Sequence, residues 1–299
     1  MFSGCGGMDL GFMGGFKFLN KRYKKLNTEI IWSNEISSEA CRTYRNNISK
    51  EIIEGDVWEN LSSLPKKADV LIGGFPCQDI SVNNKNATGV DGARSGLYKA
   101  MIEVAKVSKP KIIIAENVKG LLNKNNASSL KRVVSDFSTL GFNVDYKLYN
   151  SADYGVPQTR ERVFIVGTRR RGFEHPKEIL DASSWVTAKA AIDDLVNLNE
   201  DEGWSHIWSK AKNNASQGNR ILKSDRPGYT IRAECHGNTH YHYNASRRMS
   251  LRESARIQSF PDNFKFASKM RETERQIGNA VPPVLAWHIA NSVIKFLKF

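Results

Sequence analysis

Short apolar runs, each bounded by glycine, proline or a polar turn, alternate over the first 170 positions with longer stretches of three-to-four-residue apolar spacing. The runs at 68–72 and 111–115 are of strand length and apolar almost throughout, as strands covered on both faces are. Residues 29–35 and 51–54 read as two more strands, 142–149 as another, and 155–167 as a turn feeding a last one. Helical spacing occupies 97–107 and 128–140. This alternation predicts an α/β layer domain over 1–170. From 171 to 248 the periodicity is poor, apart from a helix near 187–196, and Trp, Tyr, His, Asn, Lys and Arg dominate. Helical spacing returns at 251–258 and 284–297, so the segment 249–299 is expected to pack back on the first domain.

Composition narrows the picture. Lys and Arg number 44 against 31 acids, a net charge of +13 in 299 residues, an excess that favours a polyanionic partner. The 40% hydrophobic content supports a real core. No run of about 18 apolar residues predicts a membrane span, and the glycine-rich start does not have the form of a secretory signal. Cys5, Cys41, Cys77 and Cys235 are scattered without disulfide spacing, which fits a reduced, cytoplasmic setting. Cys235, His236, His240 and His242 raise a metal reading, but the Cys-His adjacency lacks ligand spacing. Ordinary polar contacts and no metal are expected there.

The candidate chemistry lies at the ends of the predicted strands, where ligands sit in open α/β sheets. Residues 1–12 form a glycine-rich turn feeding a helix, Phe2-Ser3-Gly4-Cys5-Gly6-Gly7, with no lysine to hold a triphosphate. The next two strands end at Glu35 and at Gly55-Asp56-Val57; an acid roughly 20–30 residues past such a turn commonly binds a ribose diol. Either acid alone reads as a turn residue; in series they suggest an adenosine pocket. The strand at 68–72 breaks at Gly73-Gly74 and presents Phe75-Pro76-Cys77-Gln78. A lone cysteine is more often an inert small hydrophobe than a nucleophile. The strand at 111–115 ends in Glu116-Asn117-Val118. Arg162, on the final strand, reads by itself as a surface charge.

Taken in order, these segments resemble the DNA (cytosine-5) methyltransferases of bacterial restriction-modification systems. The resemblance rests on Phe2–Gly7, Asn34-Glu35, Gly55-Asp56-Val57, Phe75-Pro76-Cys77-Gln78, Arg94-Ser95-Gly96-Leu97-Tyr98 and Glu116-Asn117-Val118. It continues through Gln158-Thr159-Arg160-Glu161-Arg162, Arg252–Pro261 and Gly278-Asn279-Ala280-Val281-Pro282, and covers nearly the whole chain outside about 171–228. It implies a Rossmann-like S-adenosylmethionine-dependent methyltransferase sheet with helices on both faces, plus a smaller irregular target-recognition domain at 171–248. Cys77 is then the nucleophile toward cytosine C6, Glu116 the acid at N3 and Arg162 the cation at O2. Arg160 is grouped with them as holding the loop or the flipped nucleotide.

The resemblance also implies S-adenosylmethionine as cofactor, held by Phe2, Gly4, Cys5, Gly6, Gly7, Glu35, Ile36, Asp56, Val57, Phe75, Leu97, Asn279, Ala280 and Val281. Where the family often has tryptophan after the ribose acid, this chain has Ile36. Duplex DNA contacts are expected from Gln78, Ser81, Gln158, Thr230, Arg232, His236, Asn238 and Arg247. A monomer with a cognate restriction endonuclease is the expected setting. Competing readings are a tRNA cytosine-5 methyltransferase of the same fold, whose Cys-Phe-Thr tripeptide is not found here, and a truncated inactive DNA-binding relative. The family places a short apolar strand before the Phe2 turn. With only Met1 preceding it, the expectation is a shortened polypeptide that binds cofactor weakly and melts early.

Overall fold

The computed structural model describes residues 1–75, 97–210, 220–233 and 240–298. The chain opens on a tight turn in which Phe2, Gly4 and Gly6 take φ of 52°, 54° and 94°, a region where only glycine is free of strain. It leads into α1 (Gly7–Met13) and an antiparallel hairpin, β1 (Phe16–Phe18) with β2 (Lys21–Tyr23). Next come β3 (Asn34–Glu35), α2 (Ser38–Asn47) and β4 (Ile53–Glu54), the two strands being parallel. The Ser37 hydroxyl caps α2 by accepting from Ala40 N at 3.3 Å.

The main sheet is built from β5 (Val70–Gly74), α3 (Tyr98–Ser108), β6 (Ile112–Val118), α4 (Ala127–Thr139) and β7 (Asn143–Asn150). After β8 (Gln158–Thr159) comes β9 (Glu161–Thr168), and the strand order is β5-β6-β9-β7. β5 and β6 are parallel, whereas β9 runs antiparallel to both of its neighbours. Because successive side chains point to opposite faces, Ile112, Ile114, Phe164 and Val166 enter one core and Ile113, Ala115, Val163 and Ile165 the other. Both faces being covered explains why these strands are apolar without alternation.

Two expected strands are much shorter than their apolar content suggested. In 29–35 only Asn34–Glu35 pairs, and Ile31 is left exposed. The Asn34 side chain replaces further ladder bonds, its Nδ2 donating to Ile53 O at 3.1 Å and Gly55 O at 3.0 Å. In 51–54 only Ile53–Glu54 pairs. Residues 1–3 run between this small sheet and the large one, with Met1 N donating to Ile72 O at 2.8 Å and Ser3 N to Asn34 O at 3.1 Å.

Further along lie α5 (Ala188–Ile192), β10 (Arg220–Ile221), β11 (Gly228–Tyr229) and β12 (His240–Tyr241), and α5 packs into the first core. The chain closes with α6 (Leu251–Ile257), α7 (Met270–Asn279) and α8 (Pro283–Leu297). Ser250 and Glu253 form a reciprocal capping box at the start of α6. Met270–Leu297 contains an 18-residue window apolar enough for a membrane span, half of it buried in the protein. It is two helices broken at Ala280–Pro282, and α8 is buried along Val284, Leu285, Ile289 and Val293.

α8 packs against α1. The approach is so close that a Cβ on Gly11 would meet Ala286 Cβ at 2.3 Å and Pro283 O at 2.7 Å. Gly11→Ala should therefore overpack this contact by about 1–3 kcal/mol and lower Tm by roughly 2–10 °C. Thermal unfolding followed by circular dichroism checks this; an unchanged Tm would show that the helices separate freely.

Candidate active site

The end of β6 carries the candidate catalytic pair. Glu116 stands beside Gly74 of β5 and Phe164 of β9, and Arg162 stands opposite Val118. From there the Arg162 guanidinium reaches back, Nε lying 3.0 Å from Glu116 Oε1. Both side chains are nearly enclosed, 13% exposed for Arg162 and 12% for Glu116. A Cβ at Gly74 would sit 2.9 Å from Glu116 Oε2, so glycine there leaves the carboxyl its space. Burial raises the Glu116 pKa, while the charges of Arg162 and Arg160 pull it down less strongly. The outcome is a carboxyl that holds its proton to higher pH than usual, beside a fixed cation. Such a pair can donate to a ring nitrogen and stabilise charge on a neighbouring carbonyl oxygen.

Cys77, Gln78, Ser81, His236 and Asn238 lie outside the described residues. The described chain before Cys77 ends at Phe75, which is buried against Tyr98 and whose carbonyl accepts from Asn117 Nδ2 at 3.2 Å. Asn117 thus ties the end of β6 to the start of the Pro-Cys loop. Burial pushes the thiols of Cys5 and Cys41 up to about 12 and about 11, so neither offers a thiolate near neutral pH.

The glycine turn and the ends of β3 and β4 form the second half of the site. Glu35 Oε2 accepts from Gly4 N at 2.8 Å and its Oε1 from Ser37 N at 3.0 Å. Gly55 N donates to Glu35 O at 3.0 Å, holding Ile36 alongside Asp56. Among the described residues, nothing lies within 4 Å of the position a Cβ on Gly4 would take. From the far end of the chain, Ala280–Val281 lie under the turn; a Cβ on Gly7 would meet Val281 O at 2.5 Å. Cys5 and Val57 are buried, Leu97 is half-buried, and Asn279 is exposed.

Several of the expected site residues make contacts within the protein. Gln158 is fully buried: Nε2 donates to Ile257 O at 3.2 Å and to Gln258 Oε1 at 2.5 Å, and Oε1 accepts from Ile231 N at 3.0 Å. No part of it is left for DNA. Arg160, 1% exposed, donates from Nη1 to Ile231 O and from Nη2 to Gly278 O, both at 2.8 Å, so its place is in holding segments together. Arg247 forms a bidentate pair with buried Glu253, 2.8 Å in each arm, and stacks on Trp208. Thr230 donates to Thr159 O at 2.7 Å, and Arg232 remains exposed. Sequence reasoning passed over Glu253, although the Ser250-x-x-Glu253 spacing of a capping box was visible.

The layered α/β sheet with a glycine turn and strand-end acids is the fold expected of a Rossmann-like methyltransferase. The family model for C-5 cytosine-specific DNA methylase matches residues 1–224 and 197–295, and the chain belongs to that family. It is 35% identical to the Type II methyltransferase M.NgoFVII of Neisseria gonorrhoeae over 98% of this chain and 85% of that protein. It is 34% identical to M.FnuDI of Fusobacterium nucleatum over 98% and 92%. Among solved structures, S. pombe Dnmt2 methyltransferase superposes with a TM-score of 0.70 at 17% identity, covering 100% of this chain and 98% of that one. Entamoeba histolytica EhMeth gives 0.71 at 15%, covering 100% and 97%. These two share the fold. The protein is a DNA cytosine-5 methyltransferase.

The Glu116–Arg162 pair sets a pH dependence. Methylation that needs protonated Glu116 falls as pH rises through its pKa. Arg162 lowers that pKa, so Arg162→Gln should move the alkaline limb of the kcat/KM profile to higher pH, along with a loss of rate. A limb that stayed in place would detach it from Glu116.

Proposed function

We propose that this chain methylates C5 of one cytosine within a specific duplex sequence, with the base swung out of the helix into the site at the end of β6. The buried pairing of Glu116 with Arg162 is the observation that carries the reading. Cytosine C5 is a weak nucleophile, and addition of the Cys77 thiolate to C6 pushes the ring electrons toward C5. Glu116 holds a proton at N3 as electron density arrives there, and Arg162 faces O2. Once C5 has taken the methyl, its proton passes to solvent and the C6–S bond breaks, releasing Cys77 as the thiolate and restoring the aromatic ring.

S-adenosylmethionine fits the second half of the site and supplies an electrophilic methyl when bound. The open face of Gly4, the free lone pairs of Glu35 and the exposed apolar side chain of Ile36 support this placement. Phe2 and Gly4–Gly7 would line the methionine end, Glu35 the ribose hydroxyls and Asp56 the adenine amino group. Asn279–Val281 would close the site from behind. By likeness to Type II methyltransferases, the chain acts as a modification enzyme.

DNA carrying 5-fluorocytosine at the target should trap the wild-type enzyme covalently, because fluorine cannot leave as a proton. Cys77→Ser should abolish both adduct and turnover while DNA and cofactor binding survive. A denaturant-stable adduct with Cys77→Ser would remove Cys77 from its role.

Residues 171–248 are assigned the choice of sequence, with exposed Arg232 as a base-edge or phosphate contact. Exchanging 197–248, which leaves α5 in its core, for the matching stretch of a relative with different specificity should move the methylated site. An active chimaera that kept the original site would place recognition elsewhere.

A further inference from the structure

The chain contains six tryptophans, and five are engaged. Trp32, Trp185, Trp204 and Trp287 each donate an indole hydrogen bond, to Ser63, Asp153, Asp262 and Lys24 respectively. Trp208 is covered by the cations of Lys210 and Arg247. Trp58 differs: it is 42% exposed, and among the described residues its ring has no aromatic, cationic or hydrogen-bonding partner. Part of its apolar ring therefore faces solvent and is open to a flat ligand.

Its backbone, by contrast, is fixed. Trp58 N donates to Asp56 Oδ1 at 3.0 Å, while Asp56 O accepts from Glu59 N at 3.2 Å and from Asn60 Nδ2 at 2.7 Å. This turn follows directly on β4, whose end is locked to Glu35 through the Gly55 N to Glu35 O bond. Ile36, 70% exposed, follows Glu35 on the adjoining strand end. Two large apolar side chains are thus left to solvent close in sequence to Glu35 and Asp56, on strand ends that are bonded to each other.

We infer that Trp58 is an adenine-binding residue, its indole closing over one side of the purine while Ile36 lies against the other. The inference rests on the cofactor placement given above and adds a residue to it. A planar base between an aromatic face and an aliphatic side chain, with a carboxylate in reach of its amino group, satisfies every exposed group at this edge. Base–aromatic stacking is tolerant in geometry and strong enough to matter.

Titration calorimetry with S-adenosylhomocysteine tests it on the full chain. Trp58→Ala should weaken binding about tenfold, equivalent to ~1.4 kcal/mol, and Trp58→Phe by less than about threefold, since a ring remains. The KM for S-adenosylmethionine should rise while kcat at saturation holds, and Tm without ligand should not move, because the ring is exposed. Ligand should quench the wild-type indole emission, and Trp58→Phe should remove that quench. Wild-type affinity in Trp58→Ala with the quench retained in Trp58→Phe would overturn the inference and leave the cofactor placement standing. No binding by the wild type would overturn both.

Discussion

The site depends on keeping an acid and a guanidinium together where water is scarce. Burying a carboxyl is costly, and removing one partner of such a pair costs on the order of 3–5 kcal/mol. Here the cost is contained by geometry. The antiparallel register of β6 and β9 sets Arg162 opposite Val118, from where it meets Glu116, and Gly74 on the other side leaves room for the carboxyl. A shift of one residue in that register would turn Arg162 into the opposite core and leave Glu116 alone. The apolar strands that look like plain core therefore also fix the protonation of the acid, through alternate side chains pinned on both faces of the sheet.

Around this pair, distant parts of the chain are tied together by buried polar side chains acting on backbone groups. Arg160 holds the carbonyls of Ile231 and Gly278, and Gln158 holds Ile257 O and Ile231 N. The backbone of Arg232 and Ala233 passes so near Gly278 that an added Cβ would lie 2.4 Å from Arg232 C. The segment leading to the exposed Arg232 is thus fixed against the turn before β9 and the end of α7. Glu253 does the same for Arg247, with Ser250 N also bonded to its Oε2 at 2.7 Å. These braces add to the shared apolar core, in which Ile192, Leu222 and Ile231 join Ile114 and Phe164, in orienting the region assigned to recognition.

Much of this was legible in the sequence because an α/β sheet separates its tasks. Apolar runs mark the strands, so the strand ends at which Glu35 and Glu116 stand could be found from position alone. The glycine turn and helix α1 followed in the same way. Helix α7 was not visible, since its buried side is Thr273, Gln276, Ile277 and Gly278 and carries almost no apolar periodicity. The short reach of β3 was hidden because a side-chain amide, Asn34, replaces backbone pairing. The direction of long polar side chains was the main loss. Gln158, Arg160 and Arg247 sit in segments that resemble DNA-facing motifs, yet they turn inward to satisfy carbonyls, amides or a buried acid. Nothing in residue type distinguishes an arginine that binds phosphate from one that binds a helix end.

The central claim is that the methyl replaces the hydrogen on C5 of cytosine, next to a protonated Glu116. Duplex DNA carrying tritium at cytosine C5 and a separately labelled methyl donor measures this directly. The account predicts one tritium released to water for each methyl transferred, with both declining together as alkaline pH removes the Glu116 proton. Methyl incorporation without tritium release would place the methyl on another atom and contradict it.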